Sequence, residues 1–171
     1  MKRYKRWMLL LCAVACVLTA LTGCGTNGAA DKTVDMGELR RAMLAADKGL
    51  PEMSEADGSA KSAKTLFAYL STLDYGKVDN FFMTYAADGN QHADEIAVIA
   101  VKDISNVKTA EKSLKEHMRK RRALYEQYDP SQLPRIDGAQ VFTSGRYAVL
   151  ILADKQDAVK TAFQKFLKEQ K

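Results

Sequence analysis

The sequence predicts an α+β domain: a four-stranded, mostly antiparallel sheet in the order β-β-α-β-β-α, with two long helices on one face and a helical arm ahead of it. Three observations carry this. Apolar residues recur at three- and four-residue spacing over about 106–128 and 155–168, the period of a helix that buries one stripe. Short apolar runs at Val78–Ala86, Glu95–Lys102, Ala139–Ser144 and Tyr147–Ala153 have the length of strands. Two strand pairs are separated by turn-forming residues, and such short connections cannot join parallel strands.

The elements follow in order. Met36, Leu39 and Met43 give the arm its helical spacing, and Gly49 and Pro51 end it. Residues 52–60 read as a loop, and Lys64–Leu73 as a short helix. Val78–Ala86 is rich in aromatics, and Asp88-Gly89-Asn90 is a turn because these residues tolerate positive φ. Glu95–Lys102 is apolar throughout its centre, the mark of a covered strand. Ser105 or Asn106 is placed to cap the longest helix, whose stripe runs Val107, Ala110, Leu114, Met118, Arg121, Leu124 or Tyr125, and Tyr128. Arg121 interrupts that stripe unless its aliphatic stem lies across apolar surface. Asp129-Pro130 ends the helix, and Pro134 keeps the connection irregular. Gly145-Arg146 signals a tight hairpin. Asp154, with Asp157 three residues on, is placed as a cap for the last helix. Alternate strand residues would line an open sheet face.

The chain has 171 residues, and its formal charge of +5 comes largely from Lys2, Arg3, Lys5 and Arg6 at the start. Without those four, the basic and acidic residues nearly balance, so the basic pI is no sign of nucleic acid. Met8–Leu21 follows as 14 uncharged residues. At ~1.5 Å per residue these reach ~21 Å, short of a ~30 Å bilayer core and right for a signal-peptide core. Leu21-Thr22-Gly23-Cys24 then resembles the lipobox of bacterial lipoproteins, in which the Cys thiol takes a diacylglyceryl group and becomes the new N-terminus. Two acyl chains anchor durably where one does not. The expected organisation is a lipoprotein signal peptide over 1–23, a flexible tether over 24–33 and one domain over 34–168. Lipid attachment falls on Cys24, and the protein is held on the extracytoplasmic face of the cell membrane. Cys12 and Cys16 leave with the signal, so the mature chain has no disulfide, thiolate metal site or catalytic thiol.

A second resemblance covers about Val34–Leu167. Leu50-Pro51-Glu52-Met53, Ala93-Asp94-Glu95-Ile96-Ala97-Val98-Ile99, the helix ending Tyr125-Glu126-Gln127-Tyr128 and the hairpin Gly145-Arg146-Tyr147 are similar to a family of small Gram-positive lipoproteins classed as domain of unknown function (DUF) family 4358. That resemblance implies a lipid-anchored extracytoplasmic domain with no assigned activity; genes of such proteins can neighbour those of membrane-bound O-acyltransferases, which suggests an accessory role in the cell envelope. It carries over no catalytic residues.

The candidate chemistry is sparse. Gly23–Gly28 spells G-x-G-x-x-G, but no strand precedes it and no helix follows, so it is a chance match. No nucleophile elbow, H-E-x-x-H, phosphate loop or CxxC is present. His92 with Asp94 or Glu95 falls short of the three or four ligands zinc needs, and His117 reads as a packing residue on the long helix. Asp94 and Glu95 are adjacent in a strand and point to opposite faces. The expectation is therefore no catalytic, cofactor or metal site, and no cofactor. Arg119-Lys120-Arg121-Arg122 is the one dense basic run; it reads either as a solvated helix face or as a patch in which Arg119, Lys120 and Arg122 are the candidates for contact with an anionic surface. An exported chain meets no nucleic acid, which leaves an envelope protein or an anionic envelope polymer as partner. The function expected is a non-catalytic binding or accessory protein of the envelope. The alternative is an accessory enzyme, a hydrolase or acyl-transfer component, with a site not recognisable from sequence; Glu95, His92 and a second carboxylate clustered in one concave pocket would favour it.

Overall fold

The structure, a computed structural model, describes residues 34–170. The expected signal peptide, lipid-attachment Cys24 and tether lie outside the described residues.

Asp35 opens helix α1 (Met36–Ala45) by accepting from the backbone N–H groups of Gly37 and Glu38 at 2.8 and 3.0 Å, which satisfies two of the donors a helix start leaves free. Strand β1 (Met53–Asp57), helix α2 (Ala63–Leu70), strands β2 (Val78–Ala86) and β3 (Glu95–Val101) follow. Then come the long helix α3 (Val107–Tyr128), the short helix α4 (Leu133–Asp137), strands β4 (Gln140–Ser144) and β5 (Tyr147–Leu152), and helix α5 (Gln156–Glu169). The strands form one antiparallel sheet in the order β1-β2-β3-β5-β4. Gly145 has φ 53°, the left-handed conformation that the two-residue turn between β4 and β5 requires.

The α+β class and the antiparallel sheet are as expected, with three corrections. The sheet has five strands. Residues 53–57, read as loop, pair with β2 from Met53↔Ala86 to Asp57↔Phe82. Met-Ser-Glu-Ala-Asp has no apolar alternation, and it becomes a strand because β2 offers it an unpaired edge.

Second, the two long helices lie on opposite faces. Ala97, Ile99, Val101, Ala148 and Leu150 meet Leu114 and Met118 of α3 and Phe67 of α2 in one core. Ile96, Val98, Tyr147, Val149 and Ile151 meet Val159, Phe163 and Leu167 of α5 and Leu39 and Met43 of α1 in another. Every residue of β3 and of β5 is buried, as a strand covered on both sides must be. The α1 arm is thus part of the second layer, and no open sheet face exists in the centre of the domain.

Third, the caps differ. Asp154 does not cap α5; its carboxylate goes to Arg135, and the N-cap residue is Lys155 with no side-chain bond. Neither Ser105 nor Asn106 caps α3 through its side chain; Asp103 caps the turn ahead of it, accepting from the Ser105 backbone N–H at 2.8 Å. Pro134 sits inside the first turn of α4, where its missing N–H costs nothing.

The second layer is tied down at its rim by Asp47. It is 2% exposed and accepts from the backbone N–H of Lys155 at 2.8 Å and of Gly49 at 2.9 Å. Burial pushes its carboxyl upward, but these donors with the nearby Lys155 and Arg135 charges outweigh burial and hold it below the ordinary carboxylate value.

Candidate functional site

The most charged interior lies where the loop 87–94 enters β3. Glu95 and Asp94, both nearly fully buried, point to opposite faces, and each is met by a cation. Under α3, Glu95 Oε1 is 2.8 Å from His117 Nε2, and Oε2 is 3.1 Å from Arg121 Nε. That Nε contact is an ion pair off the line of a hydrogen bond. Arg121 Nη2 donates to the Ala93 carbonyl at 3.0 Å, and its guanidinium stands 5.4 Å from the centre of the Tyr125 ring. The Tyr125 hydroxyl in turn lies 2.7 Å from the Gly89 carbonyl and 2.9 Å from that of His92. Three successive turns of α3 therefore hold the loop against the sheet end. Burial pushes the Tyr125 hydroxyl above its ordinary pKa, against the pull of Arg121.

On the other side, Asp94 Oδ2 is 2.6 Å from Arg135 Nη1 of α4, and Arg135 Nη2 is 2.5 Å from Asp154 Oδ1. Burial raises the Asp94 carboxyl above its ordinary value, with Arg135 opposing. His92 Nδ1 stands 4.0 Å from the same Asp94 oxygen. His92 and Glu95 are thus assigned to different partners on different sides of the strand. The hollow above Arg121, about 460 Å³ and walled by Leu124, Tyr125 and Tyr128, is lined by neither carboxylate.

His117 is not the packing residue expected; its ring is a polar partner of Glu95. Its neighbourhood comes nearest to a nucleophile. Ser113, one turn before it, and Ser71 share a void of about 30 Å³ with His117. The two hydroxyls lie 2.5 Å apart, Ser113 also donates to the Ala110 carbonyl, and Ser71 accepts from the Leu73 N–H. Both hydroxyls are engaged, and the void has room for a water molecule and not for a substrate. Among the described residues no group of three His, Cys, Asp or Glu could hold a metal ion, and no helix is long and apolar enough to cross a membrane.

The basic run is on the surface of α3, with most of its charge answered locally. Arg119 pairs with Glu116 at 2.5 Å, and Arg122 with Asp137 at 2.7 Å and Glu126 at 3.5 Å. The Asp137 hydrogen bond raises the Arg122 pKa further. Lys120 is exposed. Arg119 and Arg122 also line a groove of about 370 Å³ between α3, α4 and β4.

Sequence reasoning had singled out Asp94, Glu95, His92 and His117 but not their shared architecture, and it missed Arg135 and Asp154. The available signal was His117 and Arg121, polar residues four apart beside an apolar stripe, which face the same buried neighbour.

The model of a family described as "Domain of unknown function (DUF4358)" matches residues 59–153, a stretch that includes both carboxylates and the basic run. No curated protein and no solved structure matches.

Proposed function

The chain belongs to the DUF4358 family, and from that premise we propose that it is an extracytoplasmic, membrane-anchored lipoprotein that serves the cell envelope as a non-catalytic binding or accessory protein. The observation that carries the non-catalytic reading is the use of the two buried carboxylates. Glu95 has one oxygen against the His117 ring and the other against the Arg121 guanidinium, and Asp94 is held by Arg135, so each braces a loop instead of facing a reacting atom. A general base must come within reach of substrate, and Asp94 and Glu95 are both almost fully buried beneath these partners. An accessory enzyme with a site not recognisable from sequence is the alternative; Glu95, His92 and a second carboxylate in one concave pocket would favour it, and Glu95 and His92 meet different partners.

Anchoring rests on the Leu21-Thr22-Gly23-Cys24 spacing and the uncharged run before it. The contact surface is the α3 side of the domain, where Arg119, Lys120 and Arg122 face an anionic envelope protein or polymer. Intact mass of membrane-extracted protein tests the first point: the expected species begins at Cys24 and carries diacylglycerol, and Cys24→Ala accumulates as unprocessed precursor. A lipid-free species starting elsewhere removes the anchor. For the second, wild-type protein should bind an anionic polymer such as polyphosphate at low salt, and Arg119→Gln, Lys120→Gln, Arg122→Gln should weaken it. Binding that ignores salt would not come from exposed charges.

A further inference from the structure

Five large apolar side chains stand exposed among the described residues, and three of them share one side of the molecule. Side chains four apart on a helix form a ridge, and on the outside of α3 that ridge reads Lys112, Glu116, Lys120, Leu124, Tyr128. Leu124 and Tyr128 are 52% and 76% exposed and border the same hollow. Tyr69 of α2, 73% exposed, stands beside Glu116 and Lys120, with which it lines the small void under α3. Single exposed apolar residues are ordinary on a surface, whereas three along one ridge make a patch. The charge left on the ridge is positive. Glu116 is answered by Arg119, and Asp129 beyond the ridge end is turned back to Ser131. Lys112 and Lys120 are exposed and make no ion pair among the described residues.

The mixture of residue types says what covers it. Tyrosine has an apolar body and a polar tip, and lysine an apolar stem and a charged head, so both suit the boundary between hydrocarbon and water. A soluble polyanion would meet the lysines and leave Leu124 and the tyrosine rings in water. A bilayer with anionic lipids satisfies both halves of the ridge. We infer that this ridge, with Tyr69, rests on the bilayer surface, Leu124 and the rings entering the headgroup boundary and Lys112 and Lys120 meeting anionic lipid head groups. The reach is sufficient. Cys24 and Val34 are ten residues apart, which is at most ~35 Å of chain. Val34 enters on the α1 side, and two helix layers with the sheet between them come to about 30 Å.

The inference rests on the membrane-anchored reading above and names lipid as the anionic partner of Lys120. The test uses the full chain extracted from membranes and reconstituted into vesicles of phosphatidylglycerol and dibrominated phosphatidylcholine, whose bromines quench tryptophan that enters the bilayer. Tyr128→Trp reports the ridge, and Lys165→Trp, exposed on α5, reports the opposite face. Wild-type protein in parallel corrects for Trp7, the single native tryptophan. Quenching is expected at position 128 and not at 165. Adding Lys112→Gln, Lys120→Gln, or replacing phosphatidylglycerol with neutral lipid, should remove most of it, with the melting temperature unchanged. Leu124→Trp repeats the measurement should Tyr128→Trp fail to fold. Equal quenching at both faces overturns the proposal, as does none on the ridge or quenching indifferent to the two lysines and to lipid charge. No quenching on the ridge while polyphosphate still binds overturns it and leaves the binding part of the proposed function standing. The readout reports the ridge whichever N-terminal segment holds the chain to the vesicle, so failure of the Cys24 anchor shows separately, in the intact mass.

Discussion

Under α1 and α5 the sheet is closed almost entirely by hydrocarbon and aromatic rings: Phe163 stands edge-on to Phe142 and Tyr147, among Leu39, Met43, Val149 and Ile151. Under α3 the same sheet meets an equally dense apolar core, but that core is interrupted by the Ser71–Ser113 hydroxyl pair and ends on Glu95, His117 and Arg121. The contrast separates two tasks. The first face supplies non-directional burial, at ~1.5–3 kcal/mol for each fully buried large side chain. The second adds directional contacts that fix where α3 lies along the sheet and how the loop 87–94 is held. It also carries the basic run and both larger hollows beside α3.

Mutations can break this contrast. The largest effect is expected from Phe163→Ala, which empties a fully buried site on the apolar face and should cost ~3–5 kcal/mol in urea unfolding. Glu95→Gln keeps the shape but removes the charge that answers His117 and Arg121. It should cost ~1–3 kcal/mol and raise amide exchange in residues 87–94, with little change at α5. A loss spread evenly over both faces would deny the loop its dependence on Glu95.

Asp47 and Asp94 sharpen the comparison through pH. Asp47 is depressed in the folded state, so its contribution is present above the unfolded carboxylate value and lost as pH falls through the folded one. Asp47→Asn should therefore flatten the acid limb of a stability–pH curve. Asp94 is raised, so its effect has the opposite sign: stability is greatest below the unfolded value and declines as pH rises through the higher folded value. Asp94→Asn should remove that decline. Parallel curves for the two variants would contradict the assignment. The smallest effect belongs to Arg119→Gln, Lys120→Gln, Arg122→Gln, whose exposed charges should leave the melting temperature nearly unchanged while binding to polyphosphate falls.

The helices of both faces were legible because their apolar stripes repeat at 3.6 residues, and the central strands because they are apolar or turn-bounded. The layering was half legible. Glu95–Lys102 already read as covered, and a strand apolar on both sides needs a cover on both, which the single-faced arrangement did not supply. β1 was not legible at all, since its five residues have no pattern of their own and take their register from β2. The cluster at Glu95 depends on α3 bringing residues 22 and 26 positions away back across the sheet end, a crossing that local periodicity does not encode. Asp154 shows the same limit: locally it is a good cap, but a guanidinium 19 residues upstream in the chain binds it instead.

The layer made by α1 and α5 comes from the first and last helices of the described chain, clipped together where Asp47 accepts from the Lys155 backbone. Order of synthesis therefore matters. When β5 leaves the ribosome, Phe82, Ile96, Val98 and Val149 have only half their roof, because Gln156–Glu169 is still to come. Up to that moment the nascent chain presents an apolar strip to whatever surrounds it, and apolar strips of that kind recruit chaperones or each other. A chain stopped before Gln156 never passes that stage. The final helix, which carries none of the residues singled out for binding, thus supplies half of the cover that keeps this face of the sheet from water.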